Sequence, residues 1–174
     1  MKLFVFCMAM FLFACNNATS TTETKDKVQA STVTLPYTAS YSSSWSTEVS
    51  DEDLNTVLLS YKYWQDGDMN ALINTFGDTL GFESWEGKSY RLTHKDVETL
   101  WKPFRDSLSK VDIRMEGWHK MYSTDKKQAF VVTWYVETDT YKDGRVDSAS
   151  WHDINMLDKG KIVWYSQYRR PFKK

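Results

Sequence analysis

Cysteine is scarce. The 174 residues hold only Cys7 and Cys15, too few for a disulfide framework. Histidine is scarce too, at three residues, and no Cys-x-x-Cys or His-Glu-x-x-His spacing occurs. The usual metal-ligand patterns are therefore missing. No glycine-rich phosphate loop follows a strand-like run, and there is no Gly-x-Ser-x-Gly nucleophile elbow, so nothing in the sequence calls for a cofactor. Neither charge sign dominates: Lys+Arg number 22 and Asp+Glu 23, with no block of like charge. That argues against nucleic acid as a main partner. The apolar run Leu3 to Phe13 falls short of the roughly 20 residues that a bilayer-spanning helix needs.

Aromatic residues are abundant: eight Trp, ten Tyr and nine Phe. They suit a packed core, and equally the rigid apolar walls of a pocket or interface. The length suggests one domain plus extras. Lys2 and the apolar run after it read as a processing segment, residues 1–14. The run ends in Leu12-Phe13-Ala14-Cys15, which resembles the lipobox of bacterial lipoproteins. The resemblance implies removal of Cys7 with the signal and acylation of Cys15, whose chains would hold the protein stably on a membrane of the cell envelope, facing the periplasm or the surface. An ordinary secretory signal cut nearby is the alternative. Residues 15–49 are rich in Ser and Thr and poor in large apolar residues, so most of this stretch reads as a flexible tether. Tyr37, Tyr41 and Trp45 stand out there, either as an arm laid on the domain or as exposed rings.

The folded domain is expected over residues 50–174. Ser50 with Asp53 has capping-box spacing and opens a helix whose stripe is Leu54, Val57, Leu58, Tyr61 and Trp64. Asp66-Gly67-Asp68 stops it and caps a short second helix carrying Met69, Leu72, Ile73 and Phe76. Short strands are expected around Thr79–Trp85 and Ser89–Leu92. Thr93 with Asp96 opens a third helix, buried through Val97, Leu100, Trp101, Phe104 and Leu108. Pro103 should kink or split it.

From Val111 the period changes to alternation. Val111, Ile113 and Met115 alternate with Asp112, Arg114 and Glu116. Asp125-Lys126-Lys127, Asp143-Gly144 and Asp158-Lys159-Gly160 read as turns, dividing the region into four strands of an antiparallel meander. Both faces of this sheet are partly apolar, and helices can cover only one. The other is expected to meet a second copy in a homodimer.

This order of elements resembles the NTF2-like (SnoaL-like) superfamily. The segments that carry the resemblance are Trp64-Gln65-Asp66-Gly67-Asp68-Met69-Asn70-Ala71-Leu72, Gly87 to Trp101, and Asp158-Lys159-Gly160-Lys161-Ile162-Val163 with Tyr168. The match spans about Ser50 to Phe172. With the lipobox, the chain also resembles NTF2-like lipoproteins of Bacteroidetes-type bacteria. The implied fold is an α+β cone, three helices packed on a strongly bent antiparallel sheet around a conical pocket. Some relatives, such as ketosteroid isomerase, polyketide cyclases, limonene epoxide hydrolase and scytalone dehydratase, do acid–base chemistry there; others bind ligands or proteins.

On this expectation Tyr61, Trp64, Trp101, Trp118, Trp134, Trp151 and Tyr168 are the candidate pocket wall for a small, largely apolar molecule. His119 falls in phase with Met115 and Met121, so it is a candidate base or a hydrogen-bonded core or interface histidine. In Trp151-His152-Asp153 the last two residues point to opposite faces and cannot form a dyad. Asp153 shares a face with Trp151, where desolvation would raise its pKa; an exposed or salt-bridged aspartate is the commoner state. An isomerase, cyclase or dehydratase would need two such groups facing one cavity, for instance His119 with Asp153. His94 reads as solvated, as does the Arg169-Arg170 strand end. The sequence leaves three readings: a ligand-binding domain without a catalytic step, such an enzyme, or a protein-interaction module using the sheet.

Overall fold

The computed structural model describes residues 34–172. Residues 1–33, with Cys15, the signal-like segment and the start of the expected tether, lie outside them. The stretch before Ser50 is not all tether. Trp45–Ser46 form a short strand, β1, and the rings of Tyr41 and Trp45 pack on Phe130 at 6.3 and 5.8 Å. Tyr37 remains 88% exposed.

Helix α1, Asp51–Asp66, starts where Ser50 accepts a hydrogen bond from the Asp53 N–H at 2.9 Å. Three acidic residues in its first turn complement the helix dipole. It ends at Gly67, whose φ of 77° is the left-handed conformation that glycine adopts freely. Asp68 then caps α2, Met69–Ile73, by accepting from the Ala71 N–H. Strands β2, Phe76–Glu83, and β3, Ser89–Thr93, form a hairpin. In β2, Gly81 leaves room for a neighbour: a Cβ there would lie 2.8 Å from the Trp164 ring.

Helix α3, His94–Ser107, has the full Thr93–Asp96 capping box. It runs unbroken past Pro103, so the expected split does not occur. Arg105 in its last turn donates to the carbonyls of Trp64 and Gln65 at 2.8 and 2.9 Å. One guanidinium thus satisfies carbonyls at the end of α1 and binds the two helices together. His94 is not simply solvated: its Nε2 lies 3.0 Å from the Gly77 carbonyl.

The meander follows as β4, Leu108–Ser123, β5, Gln128–Tyr141, β6, Val146–Asp158, and β7, Lys161–Pro171. Within the seven-stranded sheet the order is β1-β4-β5-β6-β7-β2-β3. The sheet is mixed, because β2 lies parallel to β7. Its helix-covered face holds the core, where Val57, Leu80, Val97, Val131 and Ile162 are almost fully buried. Each such side chain contributes about 1.5–3 kcal/mol of burial energy.

A β-bulge in β4 decides which residues face inward. Met115 lies opposite Tyr135, but Gly117 lies opposite Trp134, so Glu116 is an extra residue. Beyond it the alternation is reversed. Trp118 and Lys120 join the helix-covered face, and Lys120 reaches Asp51 of α1. His119, opposite Val132, turns to the outer face and is exposed. The in-phase placement of His119 with Met115 fails for this reason. On the same outer face Trp134, His152 and Tyr168 stand in register on three adjacent strands. Their rings form a ladder, with centroids 5.1 and 5.9 Å apart.

Candidate functional site

The bent sheet and its helices leave a cavity of about 610 Å³. Aromatic rings from several elements line it: Trp64 of α1, Trp101 and Phe104 of α3, Tyr135 of β5, Trp151 of β6 and Tyr165 of β7. Trp101 is central, meeting Phe76 and Phe82 edge-on at 5.7 and 5.3 Å. The apolar stripe of α3 is only partly buried, because it overhangs this space. Leu100 and Phe104 stay 50% and 44% exposed and, with Trp85 at 49%, form part of the cavity lining.

Behind the inner wall lies a polar cluster. The fully buried Asp153 accepts through Oδ2 from three phenols: Tyr61 at 3.0 Å, and Tyr135 and Tyr165 at 2.8 Å each. Tyr61 also bonds Thr133 at 2.7 Å and accepts from Asn155. Burial raises the Asp153 carboxyl to about 7, against the pull of the three phenol donors. The three phenols are held well above their usual range, first by burial and then by the Asp153 charge. Asp153 itself does not reach the cavity surface; the tyrosines stand between.

A second acidic group does face the cavity. Glu137 and Asp139 occupy successive inward positions of β5 and are 8% and 9% exposed. Desolvation pushes Glu137 up to about 8, helped by the charge of Asp139 and opposed by the Trp64 indole N–H at 3.2 Å. Asp139 is also raised, chiefly by burial. Nearby, Arg169 pairs with Asp147 at 2.6 Å and lies over the rings of Trp85 and Trp151 at 5.1 and 5.6 Å. Arg169 is therefore no solvated strand end. Among the described residues no cluster of three or more His, Cys, Asp or Glu is placed to hold a metal ion.

No family model matches this chain, and no curated protein does. Solved structures do. AusH from Aspergillus nidulans matches with TM-score 0.58 and 14% identity, over 72% of this chain and 88% of that one. An LEH-like epoxide hydrolase from M. tuberculosis matches with TM-score 0.58 and 14% identity, over 69% and 84%. An NTF2-like protein of unknown function from Burkholderia pseudomallei matches with TM-score 0.55 and 12% identity, over 68% and 91%. The chain has the NTF2-like fold. At these identities the likeness extends to the fold and no further.

Within the NTF2-like cone, Tyr61, Trp64, Trp101 and Trp151 line the cavity. Trp118, Trp134 and Tyr168 do not. Trp134 and Tyr168 lie on the outer face, and Trp118 is 49% exposed on β4, clear of the cavity. His119 and Asp153 stand on opposite faces of the sheet, so the suggested acid–base pair does not exist. Asp153 is the buried, raised carboxyl that its place beside Trp151 allowed, and the exposed alternative is ruled out. Tyr135, Glu137, Asp139 and Tyr165 were missed. The Asp143-Gly144 hairpin contained the signal: it sets Glu137 opposite Ala149 and Asp139 opposite Asp147, on the face of Trp151.

Asp153 should act on stability in two ways. Replacing it by Ala leaves the Tyr135 hydroxyl without its acceptor, at a cost of about 1–3 kcal/mol, while Asn retains an acceptor oxygen. In the unfolded chain the carboxyl ionises near pH 4, whereas in the fold it keeps its proton to about pH 7. The native state binds more protons between these values. The stabilisation is full below about pH 4 and is lost as pH rises through about 7. Chemical denaturation should show stability falling from pH 5 to 8, Asp153→Ala the less stable variant, and Asp153→Asn with a flatter pH slope. A slope unchanged in Asp153→Asn would refute the assignment.

Proposed function

We propose that this domain binds a small, largely apolar molecule in its cone, with no catalytic step assigned, and that it does so on a lipid anchor at the bacterial cell envelope. The observation that carries the binding reading is the 610 Å³ cavity with ring-lined walls and exposed apolar residues in its lining. Pockets of a few hundred Å³ or more, mostly apolar with a few polar groups, are the usual form of small-molecule sites. The enzyme alternative loses its named pair, because His119 faces away from the cavity.

A neutral fluorescent probe such as N-phenyl-1-naphthylamine tests the pocket. Binding should brighten the probe, hydrophobic metabolites should displace it, and Trp101→Ala should weaken it about tenfold through lost ring contact. Probe binding that is absent, or indifferent to Trp101→Ala in a folded variant, would exclude this reading.

The anchor rests on Leu12-Phe13-Ala14-Cys15, which also carries the likeness to Bacteroidetes-type lipoproteins and lies outside the described residues. Cys15→Ser should abolish fatty-acid labelling and release the protein from the membrane fraction. Labelling that survives the substitution would refute it.

The ladder of Trp134, His152 and Tyr168 supports a homodimer through the outer face. Trp134 is 39% and Tyr168 54% exposed, an unusual concentration of rings for a free surface. Light scattering should give a dimer mass that falls by half in Trp134→Glu; a wild-type monomer would contradict it.

A further inference from the structure

Aromatic walls do not account for Glu137 and Asp139. Both are about nine-tenths buried and both line the cavity. Oδ1 of Asp139 is buried and accepts no hydrogen bond. Uncompensated, such an acceptor is costly. Among the described residues the side-chain donor from outside the pair is the Trp64 indole, to Glu137, and the two carboxyls share a hydrogen bond in which Glu137 carries the proton below about pH 8.

The nearest cations are committed elsewhere. Arg169 is bound to Asp147 and sandwiched by Trp85 and Trp151. Arg105 is spent on the carbonyls that end α1. Each lowers the Asp139 carboxyl only against a larger effect of burial. The lining contains Glu86, Glu137, Asp139 and Asp147 against Arg169 alone. As Asp153 and Glu137 lose their protons through about pH 7 and 8, the space becomes increasingly electronegative.

We propose that the ligand is an organic ammonium ion, its charged nitrogen seated against Glu137 and Asp139 and its apolar body among Trp64, Trp101, Phe104 and Trp151. This rests on the binding reading above and adds the sign of charge. An ammonium group brings up to three donors and no acceptor, which is what the Asp139 oxygen lacks. Rings around it add cation–π attraction where water is excluded. A neutral ligand without a donor would leave Asp139 unanswered, and a carboxylate would be repelled. The pair also sets a pH response. Groups facing it are Asp147 and Arg169 from the sheet, Arg105 from α3 and Asp153 behind Tyr135. As Glu137 ionises through about pH 8, an alkylammonium of pKa about 10 should bind more tightly.

The test uses three probes of one shape: 2-(1-naphthyl)ethylammonium, 2-(1-naphthyl)ethanol and 3-(1-naphthyl)propanoate, titrated calorimetrically into the purified chain. The ammonium should bind about tenfold or more tightly than the alcohol, as a charged hydrogen bond warrants. The propanoate should be weakest, and ammonium affinity should rise between pH 7 and 9. Asp139→Asn combined with Glu137→Gln should remove the advantage of the ammonium over the alcohol, with cooperative thermal unfolding of the variant showing that it folds; an advantage that persists in the folded variant overturns the charge assignment. An ammonium no tighter than the alcohol, or a tighter propanoate, overturns the charge assignment while leaving the binding reading intact. If no probe binds and the neutral fluorescent dye does not either, both readings fall.

Discussion

A single carboxylate oxygen joins four elements of this protein. Asp153 projects from β6, and the hydroxyls that converge on it come from Tyr61 of α1, Tyr135 of β5 and Tyr165 of β7. The roof helix and three strands are thereby referred to one point, with Thr133 and Asn155 satisfying what remains of Tyr61. Apolar contacts are not directional, and alone they would let α1 slide over the sheet. Hydrogen bonds of fixed length, buried where failure is costly, select one position. With α1 held there, Trp64 is brought to Glu137 and the cavity wall is closed on that side.

Cavity and cluster are consequences of the same alternation. Along β5 the inward residues run Val131, Thr133, Tyr135, Glu137 and Asp139. Toward the Val131 end the sheet is packed against α1 and is dry. At Tyr135 the phenol ring becomes a partition, with Asp153 behind it and open space before it. From Glu137 onward the strand lines a volume that the helices span without filling. Leu100 and Phe104 of α3 remain exposed for this reason, since the face that periodicity marks as buried looks across a gap.

Much of this was legible in the chain. The caps at Ser50, Asp68 and Thr93, the stop at Gly67 and the turns of the meander all lie where local chemistry requires them. The parity of Trp151, His152 and Asp153 was legible too, because alternation over adjacent residues survives any bend. What could not be read was the bulge at Glu116. One inserted residue leaves the composition of β4 unchanged yet exchanges its two faces, so Trp118 and His119 trade places relative to Met115. Pro103 misled differently. The rule that proline interrupts a helix describes a lost donor and a steric conflict, and here α3 continues despite both. The parallel pairing of β2 with β7 depends on contacts far apart in the chain, which no local pattern encodes.

The two carboxyl sites of the cone differ in the number of donors they receive and in access to the cavity, and this separates structural from ligand-facing roles. Asp153 has three donors on Oδ2, none on its equally buried Oδ1, and no place in the cavity lining; its contribution is to position helices and strands. Glu137 and Asp139 are comparably withdrawn from water, but beyond the bond they share the fold supplies them one indole, and Oδ1 of Asp139 has no other donor. A fold selected for stability alone has little reason to keep such a group, since apolar replacements of buried charges are often neutral or stabilising. Yet the wall that holds them is assembled with care: Trp64 is oriented by the same helix that Tyr61 locks, and Arg169 is withheld from Asp139 by Asp147 and two rings. Because Asp139 lines the cavity and Asp153 does not, the unanswered acceptor of Asp139 is best understood as one half of an interaction whose other half enters from outside.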